Sequence, residues 1–282
     1  MSRLRPSGLS ISKDFELLKK VPTREIRAYR WEAKDITQTV AKIRYIIGID
    51  EVANGSLAGP MVVAGCCILK GFTPDKILET VYDCKKFQNK PKTLSLVNHA
   101  LESEPHIVYD RVFMNSSEID KQKNIYKSKL ACWVKCIRNL TYKLYATQLR
   151  GLAATDVYDK RVIKEKGIIM EFSDFLESVA VVADGQEVPK IGHEKIYPTH
   201  MYSIPKADTM FYTVAASSIL AKHSADELMT GEYHKKYVEY NFKKNKGYGT
   251  LQHREILRQI GPCPIHRRTF ITNIWNSVLN KA

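Results

Sequence analysis

Residues 46–63 read IIGIDEVANGSLAGPMVV. A short aliphatic run ends in two adjacent carboxylates, Asp50 and Glu51, passes through a loop with Gly55, Gly59 and Pro60, and then turns apolar again. Two β-rich apolar runs around a short connection predict an antiparallel strand pair, the second strand continuing through MVVAGCCIL. Acids at the buried end of a strand need a reason, because a carboxylate removed from water is costly unless it is paired or neutralised.

Outward from this pair, HIVYDRVF (106–113) reads as a further strand, and SVAVVADG (178–185) as a short β-branched strand that again ends in an acid, Asp184. Residues 74–104 and 119–149 read as helical, while 150–172 carry charge and few signals. In YSIPKADTMFYTVAASSILAKHSADELM (202–229), Asp208 precedes or opens a long helix whose AASS centre is small enough for close packing. LQHREILRQIG (251–261) is a helix stopped by Gly261 and Pro262. Strands first paired and then alternating with helices predict an α/β fold with a mixed β-sheet flanked by helices and a C-terminal helical region. Residues 1–40 read as a basic extension with one or two short helices, KDFELLKK and EAKDITQTVAKI.

With 282 residues and 44% hydrophobic content, the chain can bury a sizeable core. No window approaches the roughly 20 apolar residues of a membrane span. The net charge of +14 points to a polyanionic partner, nucleic acid ahead of an acidic membrane surface. Half of that excess, a net +7, lies between His234 and Arg268. The six cysteines (66, 67, 84, 132, 136 and 263) lack zinc-finger spacing, as expected for reduced thiols in an intracellular protein. Cys66 and Cys67 belong to an apolar run, Cys132 and Cys136 share one helix face, and the Cys263–His266 pair has no second ligand pair. The opening MSRLRPSGLSIS is basic and free of acids until Asp14 and Glu16. That pattern fits either an organellar, for example mitochondrial, presequence or a basic tail on a protein of the cytoplasm or nucleus.

Open α/β sheets place ligands where strand ends converge. Asp50, Glu51, Asp184 and Asp208 thus offer four carboxylates from three segments to one site. Crowded hard oxygens select Mg²⁺ or Mn²⁺. Two such ions about 3.5 to 4 Å apart support phosphodiester hydrolysis. Taken singly, an Asp after a strand is more often a turn former, so spacing alone leaves both readings open.

Five motifs decide more. GIDEVANGSLAGPMVVA resembles the first motif of the type 2 ribonucleases H, the ribonuclease HII family. DCKKF (83–87), VADG (182–185), KADTMFYTVAASSILAKHSADELM and KGYGTLQHREILRQIGPCPIHRRTF are similar to its later motifs, in family order over about residues 45–271. The resemblance implies a ribonuclease H-like fold over 41–282. It also implies hydrolysis of the RNA strand of RNA–DNA hybrids, or of ribonucleotides embedded in duplex DNA, leaving 3′-hydroxyl and 5′-phosphate ends, in DNA replication and repair. It assigns Asp50, Glu51, Asp184 and Asp208 as catalytic and metal-binding. Ala53, Asn54 and Gly55 take the position of the junction-reading loop; Lys85, Lys86 and Lys206 hold phosphates, and Tyr248 stacks on the substrate. The competing readings are a resolvase-like or transposase-like DNA nuclease of the same fold and a non-catalytic hybrid-binding protein.

The chain departs from the family at Val52-Ala53-Asn54-Gly55, where the usual form is Gly-Arg-Gly directly after Asp-Glu-Ala. Ala53 carries a Cβ and Asn54 has no charge to offer a phosphate. Weaker discrimination for single ribonucleotides is expected. Residues 138–172 read as an insertion and 230–282 as a basic substrate-binding region. Lys222 and Asp226 are spaced as an i, i+4 pair, and His223, His253 and His266 read as structural. A stand-alone monomer is expected, with accessory subunits compatible with the unusual ends.

Overall fold

The computed structural model describes residues 11–20, 27–28, 43–82, 84–87, 89–148, 169–185, 197–198 and 200–279. Its centre is a six-stranded sheet made of β1 (Arg27–Ala28), β2 (Tyr45–Val52), β3 (Met61–Ile68), β4 (Ile107–Met114), β5 (Val179–Asp184) and β6 (His200–Ile204). The strand order is β1-β6-β5-β2-β3-β4. β2 pairs with β3, and β3 with β4, antiparallel, whereas β5 runs parallel to both β2 and β6. The mixed sheet and its opening hairpin therefore match the alternation of apolar runs in the sequence. The helices are α1 (Ile11–Lys20), α2 (Pro91–Ser103), α3 (Ser116–Gln122), α4 (Ile125–Gln148), α5 (Ile169–Glu177), α6 (Tyr212–Leu228), α7 (Leu251–Ile260) and α8 (Arg268–Leu279).

The two-residue period of a strand sends successive side chains to opposite faces. On β3, Val62, Ala64 and Cys66 join a core with α2 and α6. Met61, Val63 and Cys67 join another with α4. The adjacent cysteines thus serve two cores, and Cys132 and Cys136 pack together in the second. On β2, Ile47 and Ile49 face α4, while Ile46 packs with Val214 and Phe211 toward α6.

Helix α6 lies against β2 at backbone contact. A Cβ on Gly48 would stand 2.3 Å from the Thr213 carbonyl carbon and 2.4 Å from the Val214 nitrogen. Ser217 Oγ donates to the Gly48 carbonyl at 2.9 Å. Only glycine opposite a small-residue stretch permits that approach, as the AASS segment anticipates. It fixes α6 two residues from the Asp50 end of β2.

The N-terminal segment KDFELLKK is helical and belongs to the core, with Leu18 buried beside Ile43, Ile46 and Phe211. The second expected helix, EAKDITQTVAKI, lies outside the described residues. Helix α4 runs through 138–148 with Leu140, Leu144 and Tyr145 buried. That part of the anticipated 138–172 insertion is therefore continuous with the core, and 149–168 lie outside the described residues. Beyond α6, short helical turns from Met229 to Asn245 lead to α7 and α8. Asp120 of α3 holds the start of α8 by accepting from Arg268 N at 2.8 Å and Thr269 N at 3.0 Å.

Candidate active site

β2 and β5 are adjacent and parallel, so their C-terminal ends reach one edge together. Ile49 pairs with Ala183, which makes Asp50 and Asp184 the next residues on the two strands. Asp184 in turn pairs with Ile204 of β6. The chain leaves β6 into a 3₁₀ turn, Ala207–Thr209, that carries buried Asp208 into the start of α6. Ala207 N donates to Asp184 Oδ1 at 2.9 Å, tying the turn of the fourth acid to the third. Three neighbouring segments thus deliver the four acids singled out in the sequence.

Strand alternation divides the adjacent pair. Asp50 points toward α6, where the Ser218 hydroxyl hydrogen-bonds it, and its own Oδ1 accepts from Glu51 N at 2.7 Å. Glu51 points toward α4, where its Oε2 accepts from Trp133 Nε1 at 3.1 Å. Its Oε1 accepts from Asn54 Nδ2 at 2.8 Å and lies 3.4 Å from Lys129 Nζ. Burial, then the charges of Glu51 and Asp184, push the Asp50 carboxyl well above its ordinary value. Burial also raises Glu51, against the lowering influence of Lys129 and Asn54 and with a smaller raising effect from Asp184. These three acids therefore feel one another's charge, the condition a divalent cation relieves, and their oxygens are the hard donors such a cation takes. Among the described residues no three carboxylate, imidazole or thiol groups stand close enough to share a metal as the side chains lie. Glu51 and Asp184 are turned instead to the protein's own donors.

The loop after Glu51 keeps a backbone shape suited to glycine although it lacks one: Ala53 has φ +67°. An L residue with a Cβ is strained there. Asn54, in the place of the family arginine, spends its amide on Glu51. The loop is stitched to the C-terminal region. Arg267, fully buried, donates through Nη1 to the Asn54 carbonyl at 2.9 Å and through Nε to the Gly59 carbonyl at 3.1 Å. Leu57 N donates to the Gly247 carbonyl at 2.8 Å. At Gly247, φ is +84°, and a Cβ would lie 2.3 Å from the Ala58 carbonyl oxygen. This contact sets the next residue, the exposed Tyr248, beside the loop.

Behind Tyr248 runs a buried chain of rings. His253 Nδ1 lies 2.9 Å from the Tyr248 carbonyl, His253 Nε2 lies 3.0 Å from His266 Nε2, and the Cys263 backbone N donates to His266 Nδ1 at 3.0 Å. The carbonyl requires a proton on His253 Nδ1 and the amide requires a bare His266 Nδ1. His266 Nε2 then donates to His253 Nε2, and both rings are neutral. Burial, and then the neighbouring His253, depress His266 to about 3. The histidines and Cys263 are thus structural, as the sequence suggests.

Lys86 and Lys206 are exposed, with Lys86 Nζ 4.6 Å from the Tyr82 ring centroid, and the side chain of Lys85 lies outside the described residues. Lys222 meets Asp226 at 2.6 Å in the expected i, i+4 pair, which Lys246 joins. Lys235, Lys236, Lys243, Lys244, Arg254, Arg258 and Arg268 are all exposed on the C-terminal region. Sequence reasoning missed Ser218, Lys129, Trp133 and Arg267 at the site. Ser218 and Arg267 lie inside motifs that carry the resemblance, whereas Lys129 and Trp133 offered only an i, i+4 spacing, which any helix face carries. Among the described residues, no helix is long and apolar enough to cross a membrane.

A model of the ribonuclease HII family matches residues 47–273. Ribonuclease HII of Caldanaerobacter subterraneus is 30% identical over 233 residues, covering 82% of this chain and 76% of that protein. Ribonuclease HII of Chlamydia caviae is 32% identical over 226 residues, covering 80% and 83%. Among solved structures, ribonuclease HII in the PCNA:RNase HII complex from Archaeoglobus fulgidus aligns with TM-score 0.54 at 18% identity, over 84% of this chain and 100% of that one. Bst-RNase HIII in complex with Mn²⁺ aligns with TM-score 0.54 at 16% identity, over 89% and 74%. These two establish likeness of fold.

Proposed function

The chain belongs to the ribonuclease HII family and is a type 2 ribonuclease H, and from that premise we propose that Asp50, Glu51, Asp184 and Asp208 are its catalytic carboxylates. The observation that carries the proposal is the placement of Asp50 and Asp184 as neighbours on parallel strands, where the Asp184 charge helps raise the Asp50 carboxyl after burial and Glu51. The four acids would hold Mg²⁺ or Mn²⁺, a use of divalent metal in keeping with the family. When bound, such ions supply activation of water and neutralisation of the leaving oxygen in phosphodiester hydrolysis.

The chain's own residues orient that site. Ser218 and the Glu51 amide fix Asp50, and the Ala207 amide fixes Asp184. The substrate is an RNA–DNA hybrid or a duplex with embedded ribonucleotides, cut to 3′-hydroxyl and 5′-phosphate ends in DNA replication and repair. Its backbone would lie along Lys85, Lys86 and Lys206 and the exposed basic residues of the C-terminal region. Tyr248 would stack on the sugar or base beside the cut, and residues Ala53–Gly55 would line the junction. With Asn54 uncharged and engaged by Glu51, long hybrids are favoured over single ribonucleotides.

The test is incubation with labelled all-DNA, RNA–DNA and single-ribonucleotide duplexes in Mg²⁺, Mn²⁺ or chelator. Cleavage of ribonucleotide-containing duplexes alone, abolished by chelator, is expected. Cleavage of all-DNA substrates, or undiminished cleavage in chelator, overturns the reading.

A further inference from the structure

Glu51 meets an unusual set of partners for a carboxylate awaiting a metal. Its Oε1 accepts from Asn54 at 2.8 Å and sits 3.4 Å from the Lys129 ammonium, while its Oε2 accepts from the Trp133 indole at 3.1 Å. Lys129 and Trp133 are four residues apart on α4 and therefore neighbours on one face. The ammonium also lies 4.9 Å from the Trp133 ring centroid, close enough for cation–π attraction to hold it over the ring. Both charged side chains are largely shielded, with 20% of Lys129 and 10% of Glu51 exposed. A positive charge in so sheltered a place acts strongly on its neighbours.

We propose that Lys129 is a built-in counter-cation for Glu51, held by Trp133, that occupies the carboxylate until a divalent cation enters and that competes with that cation for it. The inference rests on the assignment of Glu51 as a metal ligand. The chemistry follows from occupancy. Asn54 hydrogen-bonds Oε1 and the Lys129 ammonium stands 3.4 Å from the same oxygen, so a cation approaching it meets both groups. Lys129 is the donor whose charge opposes it. The ammonium partly offsets the negative charge of Glu51 while no divalent cation is bound. Its cost is weaker metal binding. Lys129 acts through Glu51 and is a positioning residue.

The experiment measures Mn²⁺ affinity by electron paramagnetic resonance on the full chain without nucleic acid, for the parent and for Lys129→Gln, Lys129→Arg, Lys135→Gln and Glu51→Gln. Lys135 is exposed on the same helix and removes the same charge without touching the site. Lys129→Gln should bind Mn²⁺ about tenfold tighter, close to the bulk-water strength of two unit charges about 4 Å apart. Lys129→Arg and Lys135→Gln should bind like the parent. Unchanged or weaker binding by Lys129→Gln, or an equal gain in Lys135→Gln, overturns the competition. Parent-like affinity in Glu51→Gln instead overturns the metal-ligand assignment beneath it.

A second measurement needs no Lys129 variant and so survives a misfolded one. Saturating Mg²⁺ should shift the tryptophan emission of the parent as the ammonium leaves the Trp133 ring, and Trp133→Phe should abolish the shift. An emission spectrum insensitive to Mg²⁺ contradicts the proposal.

Discussion

Asp14 caps a helix that begins 198 residues later in the chain: its Oδ1 accepts from the backbone N of Tyr212 at 2.7 Å. Its Oδ2 accepts from Thr213 N and Thr213 Oγ1, each at 3.0 Å. Phe211, the residue at the α6 N-cap, supplies no side-chain bond of its own. The N-terminal helix therefore closes the orphan amides of the helix that follows Asp208.

Asp14→Ala is expected to cost about 1 to 2 kcal/mol in urea unfolding, the usual loss for a removed cap. Burial raises the Asp14 carboxyl from 3.8 to about 6. A raised folded value means the stabilising contribution is fully present below pH 3.8 and is lost as pH rises through about 6. Asp14→Asn should flatten that part of the stability profile and, with one acceptor oxygen replaced by a donor, be less stable than the parent at neutral pH. A profile with the same slope in both proteins contradicts this account of Asp14.

Ala53→Gly should stabilise the protein by about 0.5 to 1 kcal/mol, because the left-handed conformation at φ +67° carries a Cβ penalty that glycine removes. Thermal unfolding of the two proteins checks it. A lower midpoint in the glycine variant contradicts it.

The combined Ala53→Gly, Asn54→Arg variant should shift cleavage toward duplexes with a single ribonucleotide. It restores a relaxed loop, gives the phosphate a charged partner and releases Glu51 from the Asn54 amide. Rates on single-ribonucleotide and long-hybrid duplexes are compared for variant and parent. The same ratio in both rules out the loop as the determinant.

The His253–His266 pair predicts acid lability from a second direction. His266 is depressed from 6.5 to about 3 by burial and its neighbour. Its contribution is present above pH 6.5 and is lost as pH falls toward 3, amounting to several kcal/mol at most. His266→Gln should be less stable at pH 7 and lose less on acidification. Equal acid sensitivity in the two proteins contradicts the tautomer chain.

What the sequence makes legible is local. Period-two patterning places Asp50, Glu51 and Asp184 at strand ends, and small residues opposite Gly48 announce the close approach of α6. Lys222 and Asp226 follow from helical spacing. Contacts across distant segments leave no such trace. Trp133 lies 82 residues from Glu51, and Asp14 lies 198 from Tyr212. Each looks like an ordinary surface or core residue until the fold sets its partner beside it. The split of Asp50 and Glu51 across the sheet could be read from strand parity, but only once the register is known. The φ of Ala53 runs against its residue type, so local propensity points the wrong way there.

The central claim is that Asp50 and Asp184 together perform the hydrolysis. The most direct test is the initial rate on a labelled RNA–DNA hybrid in saturating Mg²⁺ for the parent, Asp50→Asn and Asp184→Asn, with folding verified by circular dichroism. Each substitution keeps the shape and removes one negative charge, and each should lower the rate by more than about 100-fold. A folded variant of either kind that cuts the hybrid within about twofold of the parent's rate contradicts the claim.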